Sequence, residues 1–217
     1  MVVARSIRGP PLPGKVYSWD VVSEAFNEDG TYRDTIFYRT LSPGYIADAL
    51  RWARQTDPHA TLYLNDYNLE AIGPKSDAYH TLVMQLMAHG LPIDCVGFQG
   101  HLALRYGYPD TLQQNLQRFA DLGLDVAITE LDIVYVPADE AKLATQAYCY
   151  ARVTKACLAV RRCVGITIWD YTDKYSWIPA VFQGEGAALP YDQNLQPKPA
   201  YHAIRDALRD AGRHRRH

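Results

Sequence analysis

Strand-like and helix-like segments alternate strictly along this chain, and every strand-like segment runs into polar residues able to carry chemistry. Such alternation is how βα units build a parallel sheet. The strand patterns fall at residues 15–22, 60–65, 95–99, 126–133 and 164–169, and the helical patterns at 44–56, 75–89, 109–122, 138–159 and 200–211. Pro109 opens the third helix, a favourable first-turn position. The strands end in Ser23-Glu24, Asn65-Asp66-Tyr67-Asn68, Gln99-Gly100-His101, Glu130-Leu131-Asp132 and Trp169-Asp170. A doubly wound sheet gathers its ligand contacts at one switch point, whereas a barrel collects them from many strand ends. The pattern therefore favours a (β/α)8 barrel. A full barrel needs eight strands and typically ~250 residues, so five βα units leave it three short.

Composition narrows the function. With 48% hydrophobic residues the chain can fill one folded core, and 22 Lys+Arg against 24 Asp+Glu imply neither nucleic acid nor a membrane surface as partner. There is no H-E-x-x-H, P-loop, G-x-G-x-x-G or C-x-x-C motif, so no metal and no cofactor is expected. The 16 Tyr and 4 Trp against 5 Phe give aromatic surface with polar tips, suited to a sugar as well as to a half-exposed core. Residues 1–13 form an irregular, Pro-containing leader without the apolar stretch of a secretory signal. Residues 14–211 read as one folded domain and 212–217 as a solvated basic tail. Cys95 and Cys149 read as buried small residues. Cys157 and Cys163 flank a short helix-to-strand connection, where spacing alone leaves a bridge and two free thiols equally open.

Glu24 and Glu130 both end buried-looking strands. Two carboxylates at one barrel mouth are what glycoside hydrolysis requires, one to protonate the leaving oxygen and one to attack or to activate water. The strand period of two puts Ile128, Glu130 and Asp132 on one side, within reach of a histidine from the neighbouring strand, and His101 is the candidate. An imidazole between Glu130 and Asp132 would orient a nucleophile. Trp169 and Trp177 lie in a loop whose aromatic density offers flat faces to sugar rings, with Trp169 expected to plug the core as well and Trp177 to be the more exposed.

The segments Trp19-Asp20-Val21-Val22-Ser23-Glu24, Asn65-Asp66-Tyr67-Asn68, Gly97-Phe98-Gln99-Gly100-His101 and Ile128-Thr129-Glu130-Leu131-Asp132, in this order, resemble the glycoside hydrolase family 10 endo-β-1,4-xylanases. The stretch from Ile168 through Trp169 and Trp177 to Pro179, and Pro197-Lys198-Pro199-Ala200-Tyr201, resemble the fungal members. The likeness runs from about Gly14 to Leu208. It implies a barrel that cleaves internal xylan linkages with retention, with Glu24 as acid/base and Glu130 as nucleophile. It further implies that His101 and Asp132 orient Glu130, that Gln99 and Trp169 contact the sugar at the cleavage site, that Trp177 covers that sugar, and that Tyr67 and Asn68 line the leaving-group side. A Cys157–Cys163 disulfide and an extracellular location follow from the same resemblance.

Two departures matter. Ser23 stands where the family has the Asn that bonds the 2-hydroxyl of the sugar being cleaved, and its shorter side chain can donate only once. Three family βα units have no counterpart upstream of residue 14, which reads as a truncated product. The first and fifth strands would then each keep an unprotected edge, and their apolar inner faces would lack opposing side chains, favouring self-association. The alternative to an active xylanase is therefore an impaired or inactive fragment that binds xylan weakly.

Overall fold

The computed structural model describes residues 15–134 and 140–214. The leader at 1–13, the start of the fourth helix and the end of the tail lie outside them. Six strands form one parallel sheet: β1 (Ser18–Ser23), β2 (Thr61–Asp66), β3 (Cys95–Phe98), β4 (His101–Ala103), β5 (Asp125–Val134) and β6 (Cys163–Ile168). The sheet runs β1, β2, β3, β5, with β4 extending the β3 position along β5 and β6 on the other side of β5. The third expected strand is thus one stave in two pieces, interrupted at Gln99-Gly100. Among the described residues β1 pairs only with β2 and β6 only with β5, so both predicted edges are open.

The helices are α1 (Ile36–Leu41), α2 (Tyr45–Thr56), α3 (Pro74–Ala88), α4 (Leu112–Ala120), α5 (Glu140–Ala159), α6 (Ile178–Val181) and α7 (Pro199–His214). Two of them, α1 and α6, lie in stretches that carry no helical period of useful length. Thr35 caps α1 by accepting from the Tyr38 N–H at 3.1 Å. Where the sequence opens a helix at Pro109, the structure starts α4 at Leu112, and Pro109 occupies the preceding turn with its carbonyl accepting from the Leu112 N–H. α7 packs along α5 and continues past residue 211, through the exposed Gly212, into the expected tail.

Register explains where the core lies. Leu62, Leu64, Val96, Phe98, Val126 and Ile128 are fully buried and belong to one cluster with the helices, including Ile46, Leu50, Val83, Leu116 and Phe119. The alternate positions, Asp20, Tyr63, Asn65, Cys95, Gly97, Ala127 and Thr129, share the opposite face. The inner face is thus less apolar than expected: one small buried cluster of Tyr63, Cys95 and Ala127 stands among the polar or small Asp20, Asn65, Gly97 and Thr129. The hydrophobic layer sits between sheet and helices, so the described core forms without a wall opposite the sheet. Cys157 and Cys163 form a disulfide that ties the end of α5 to the first residue of β6, and Cys95 and Cys149 are free and buried. No helix among the described residues is long and apolar enough to cross a membrane.

Candidate active site

The strand ends converge on a cleft of about 1040 Å³. Glu24 and Glu130 both line it, together with Tyr67, Asn68, Gln99, His101, Asp132, Trp169 and Trp177. Ser23 is not among its lining residues. It stands at the end of β1, where its hydroxyl accepts a long hydrogen bond from Gln99 Nε2 at 3.4 Å.

Glu24 is placed by backbone geometry. Its φ of 59° lies in the left-handed region, uncommon for a residue with a side chain, and its N–H still donates to the Asn65 carbonyl at 2.8 Å. The chain then doubles back through the Phe26–Tyr32 bridge and the turn at Gly30, returning Arg33 to Glu24. Arg33 Nη1 donates to Glu24 Oε2, and the guanidinium lies 5.9 Å from the Tyr67 ring centre. Lys75 covers the same ring at 3.5 Å and pairs with the buried Asp66 at 3.0 Å. Burial pushes Asp66 up to about 6 against the opposing pull of Lys75.

Glu130 is held from two sides. Asn65 Nδ2 donates to Glu130 Oε1 at 2.8 Å, and His101 Nε2 lies 3.2 Å from Oε2. His101 Nδ1 contacts Asp132 Oδ2 at 2.9 Å, and Trp177 Nε1 donates to that same oxygen at 2.9 Å. Burial pulls the His101 imidazole down, but its bonds to Asp132 and Glu130 override this and raise it to about 9. The imidazole thus bridges the two carboxylates, which make it hold its proton more tightly than a free histidine would. Trp169 is the more open tryptophan, 45% exposed, whereas Trp177 is partly buried and fixed by Asp132. This reverses the expected order, because the indole N–H of Trp177 finds its acceptor inside the site and Trp169 directly follows the open-edged β6.

Motif reading left Asn65 without a role. Asn65 is buried, and its Oδ1 accepts from Thr129 Oγ1 at 2.7 Å, which orients its amide toward Glu130. Room for it exists because position 97 is Gly: a Cβ there would meet Asn65 Oδ1 at 2.5 Å and Thr129 Cγ2 at 2.9 Å. The one available signal was its place at the carboxyl end of β2. Arg33 had none, since it comes from a loop.

A parallel sheet whose strand ends bring two glutamates into one cleft, one of them gripped by an imidazole, has the arrangement that two-carboxylate glycosidases build on an α/β barrel. Residues 4–207 match the model of Glycosyl hydrolase family 10, and the chain belongs to that family. An endo-1,4-beta-xylanase of Agaricus bisporus is 53% identical over 194 residues, which make up 89% of this chain and 58% of that protein. The crystal structure of xylanase 10B from Thermotoga petrophila in complex with xylobiose superposes with a TM-score of 0.89 at 42% identity, covering 92% of this chain and 62% of that one. A glycosylated endo-beta-1,4-xylanase from Gloeophyllum trabeum gives a TM-score of 0.85 at 47% identity, covering 88% and 60%. The chain spans less than two thirds of the length of each of these proteins.

Proposed function

We propose that this cleft hydrolyses internal β-1,4-xylosidic bonds of xylan with retention of configuration. The observation that carries the reading is the grip of Asn65 and His101 on Glu130 in a cleft shared with Glu24. Xylan or a xylo-oligosaccharide is the substrate, in line with the xylobiose bound by the Thermotoga petrophila relative.

In the first step Glu130 attacks the anomeric carbon as the glycosidic C–O bond breaks, and Glu24 gives its proton to the leaving oxygen. In the second, Glu24 takes a proton from water, the water oxygen attacks the anomeric carbon, and the bond to Glu130 breaks. His101, fixed by Asp132, holds Glu130 Oε2, while Asn65 holds Oε1. Gln99 and Trp169 meet the sugar at the cleavage site, Trp177 covers it, and Tyr67 with Asn68 line the leaving-group side. The Cys157–Cys163 bridge supports extracellular work, where disulfides persist.

A second reading has its own support. The open edges of β1 and β6 and the exposure of Trp169 favour a fragment that binds xylan without turning it over. Assay of the purified chain on xylan beside Glu130→Ala separates the two. Reducing ends released above the variant's level, with β-configured first products, support hydrolysis, and release equal to the variant's refutes it.

A further inference from the structure

The Glu70 carboxylate is buried at the cleft, 3% exposed, and has no part in the chemistry above. Its partner explains why it is there. β5 runs unbroken from Asp125 to Val134, but the neighbouring stave is split, so that β3 pairs with residues 125–128 and β4 with residues 132–134. Within the break the Gln99 carbonyl accepts from the Glu130 N–H at 2.8 Å and the Gly100 carbonyl from the Asp132 N–H at 3.3 Å. The Gly100 N–H points the other way and donates to Glu70 Oε1 at 2.6 Å. Gly100 has φ +80°, and a Cβ on it would meet Ile128 Cγ2 at 2.9 Å, so the turn is walled by β5. A buried N–H left without an acceptor is costly, and Glu70 supplies this acceptor from the loop between β2 and α3.

We propose that Glu70 is a positioning residue: by accepting the Gly100 N–H it closes the break between β3 and β4, and so fixes where His101 meets Glu130 and Asp132 and how Gln99 faces the cleft. The role is to serve the hydrolysis proposed above. His101 is faced by Glu130 and Asp132 from β5, by Glu70 from the loop after β2, and by the rings of Trp169 and Trp177 from the segment after β6. Lys75 of α3 is the other charge acting on Glu70, and burial pushes the Glu70 carboxyl above its ordinary range.

The test is an NMR titration of the full chain without substrate, so its outcome does not depend on whether xylan is cleaved. In the unmodified protein the Gly100 amide should exchange slowly with solvent, and its resonance should follow the Glu70 titration. Glu70→Gln keeps an oxygen for the Gly100 N–H and should leave the His101 midpoint within ~0.5 unit of the parent, whereas Glu70→Ala should lower it by ~1 unit or more. Gly100 exchange in the alanine variant should rise about tenfold or more while β1 amides stay protected. If Gln lowers the midpoint as far as Ala, Glu70 acts through its charge and the proposal is overturned. If neither substitution moves His101, it is overturned as well. Should the alanine variant not fold, the Gln variant and the parent decide: a Gly100 amide that exchanges like an open loop, or ignores Glu70 titration, refutes the assignment.

Discussion

Replacing Gly97 with alanine should damage the site from a position that touches no substrate. Gly97 lies in β3, paired with Asn65 of β2 on one side and Ala127 of β5 on the other. Its φ is not in the left-handed region, so an added methyl meets no backbone strain, only neighbours. Those neighbours are Asn65 Oδ1 at 2.5 Å and Thr129 Cγ2 at 2.9 Å, both nearer than real Cβ contacts come. Asn65 cannot retreat without giving up Thr129 Oγ1 at 2.7 Å and Glu130 Oε1 at 2.8 Å. Overpacking costs about 1–3 kcal/mol, and a lost hydrogen bond to a charged group roughly 1.5–3 kcal/mol. Removing a flexible glycine from the unfolded chain offsets about 0.5–1 kcal/mol. The net is a loss of about 2–5 kcal/mol, measured by urea unfolding of the two proteins. A double-mutant cycle isolates the cause: once Asn65→Ala has removed the obstructing amide, Gly97→Ala should cost clearly less than in the parent, the remainder being its contact with Thr129 Cγ2. A single variant as stable as the parent, or a Gly97→Ala cost equally large in the Asn65→Ala background, would refute the reasoning.

Two further expectations follow from the same site. The His101 imidazole is raised in the folded state to about 9, so the folded protein holds this proton more tightly than the unfolded chain. Its contribution is then complete below the unfolded value of about 6.5 and disappears as pH rises through about 9, amounting at most to ~3 kcal/mol. The stability gap between the parent and His101→Phe should narrow across that window, and a gap that stays flat would show that the charged imidazole is not what stabilises the site. Ser23→Asn, which restores the side chain expected to meet the 2-hydroxyl, should raise the turnover number on an aryl xylobioside by on the order of tenfold, equivalent to about 1.4 kcal/mol. An unchanged turnover number would mean that Ser23, which lies outside the cleft lining and bonds Gln99, does not limit the chemistry.

The strands and most helices were legible because they rest on local periods. Apolar alternation marked β2, β3 and β5, and the helical period marked α2, α3 and α5 to within a few residues of their bounds. The contact of His101 with Glu130 and Asp132 was expected, but not for the right reason: the period of two also placed Ile128 on that side, whereas Ile128 is buried against the helices and the register irregularity between Ile128 and Leu131 is what turns Glu130 and Asp132 to the cleft. Asn65, Glu70 and Gly97 were not. Their partners lie dozens of residues away, and no local pattern says that Asn65 will turn its amide on Glu130 or that Glu70 will find the Gly100 N–H. The inner face of the sheet was misjudged for a related reason, because an alternating strand does not say which of its faces the helices will cover.

The amino-acid order by itself determined a succession of βα units with chemistry at the carboxyl end of each strand, since hydrophobic period and turn residues act over a few neighbours. Only the tertiary structure decided which side chains share a hydrogen bond, where the stave beside β5 breaks, and which tryptophan stays open. Those outcomes depend on register between strands and on acceptors brought from distant loops, which packing selects after the elements have formed.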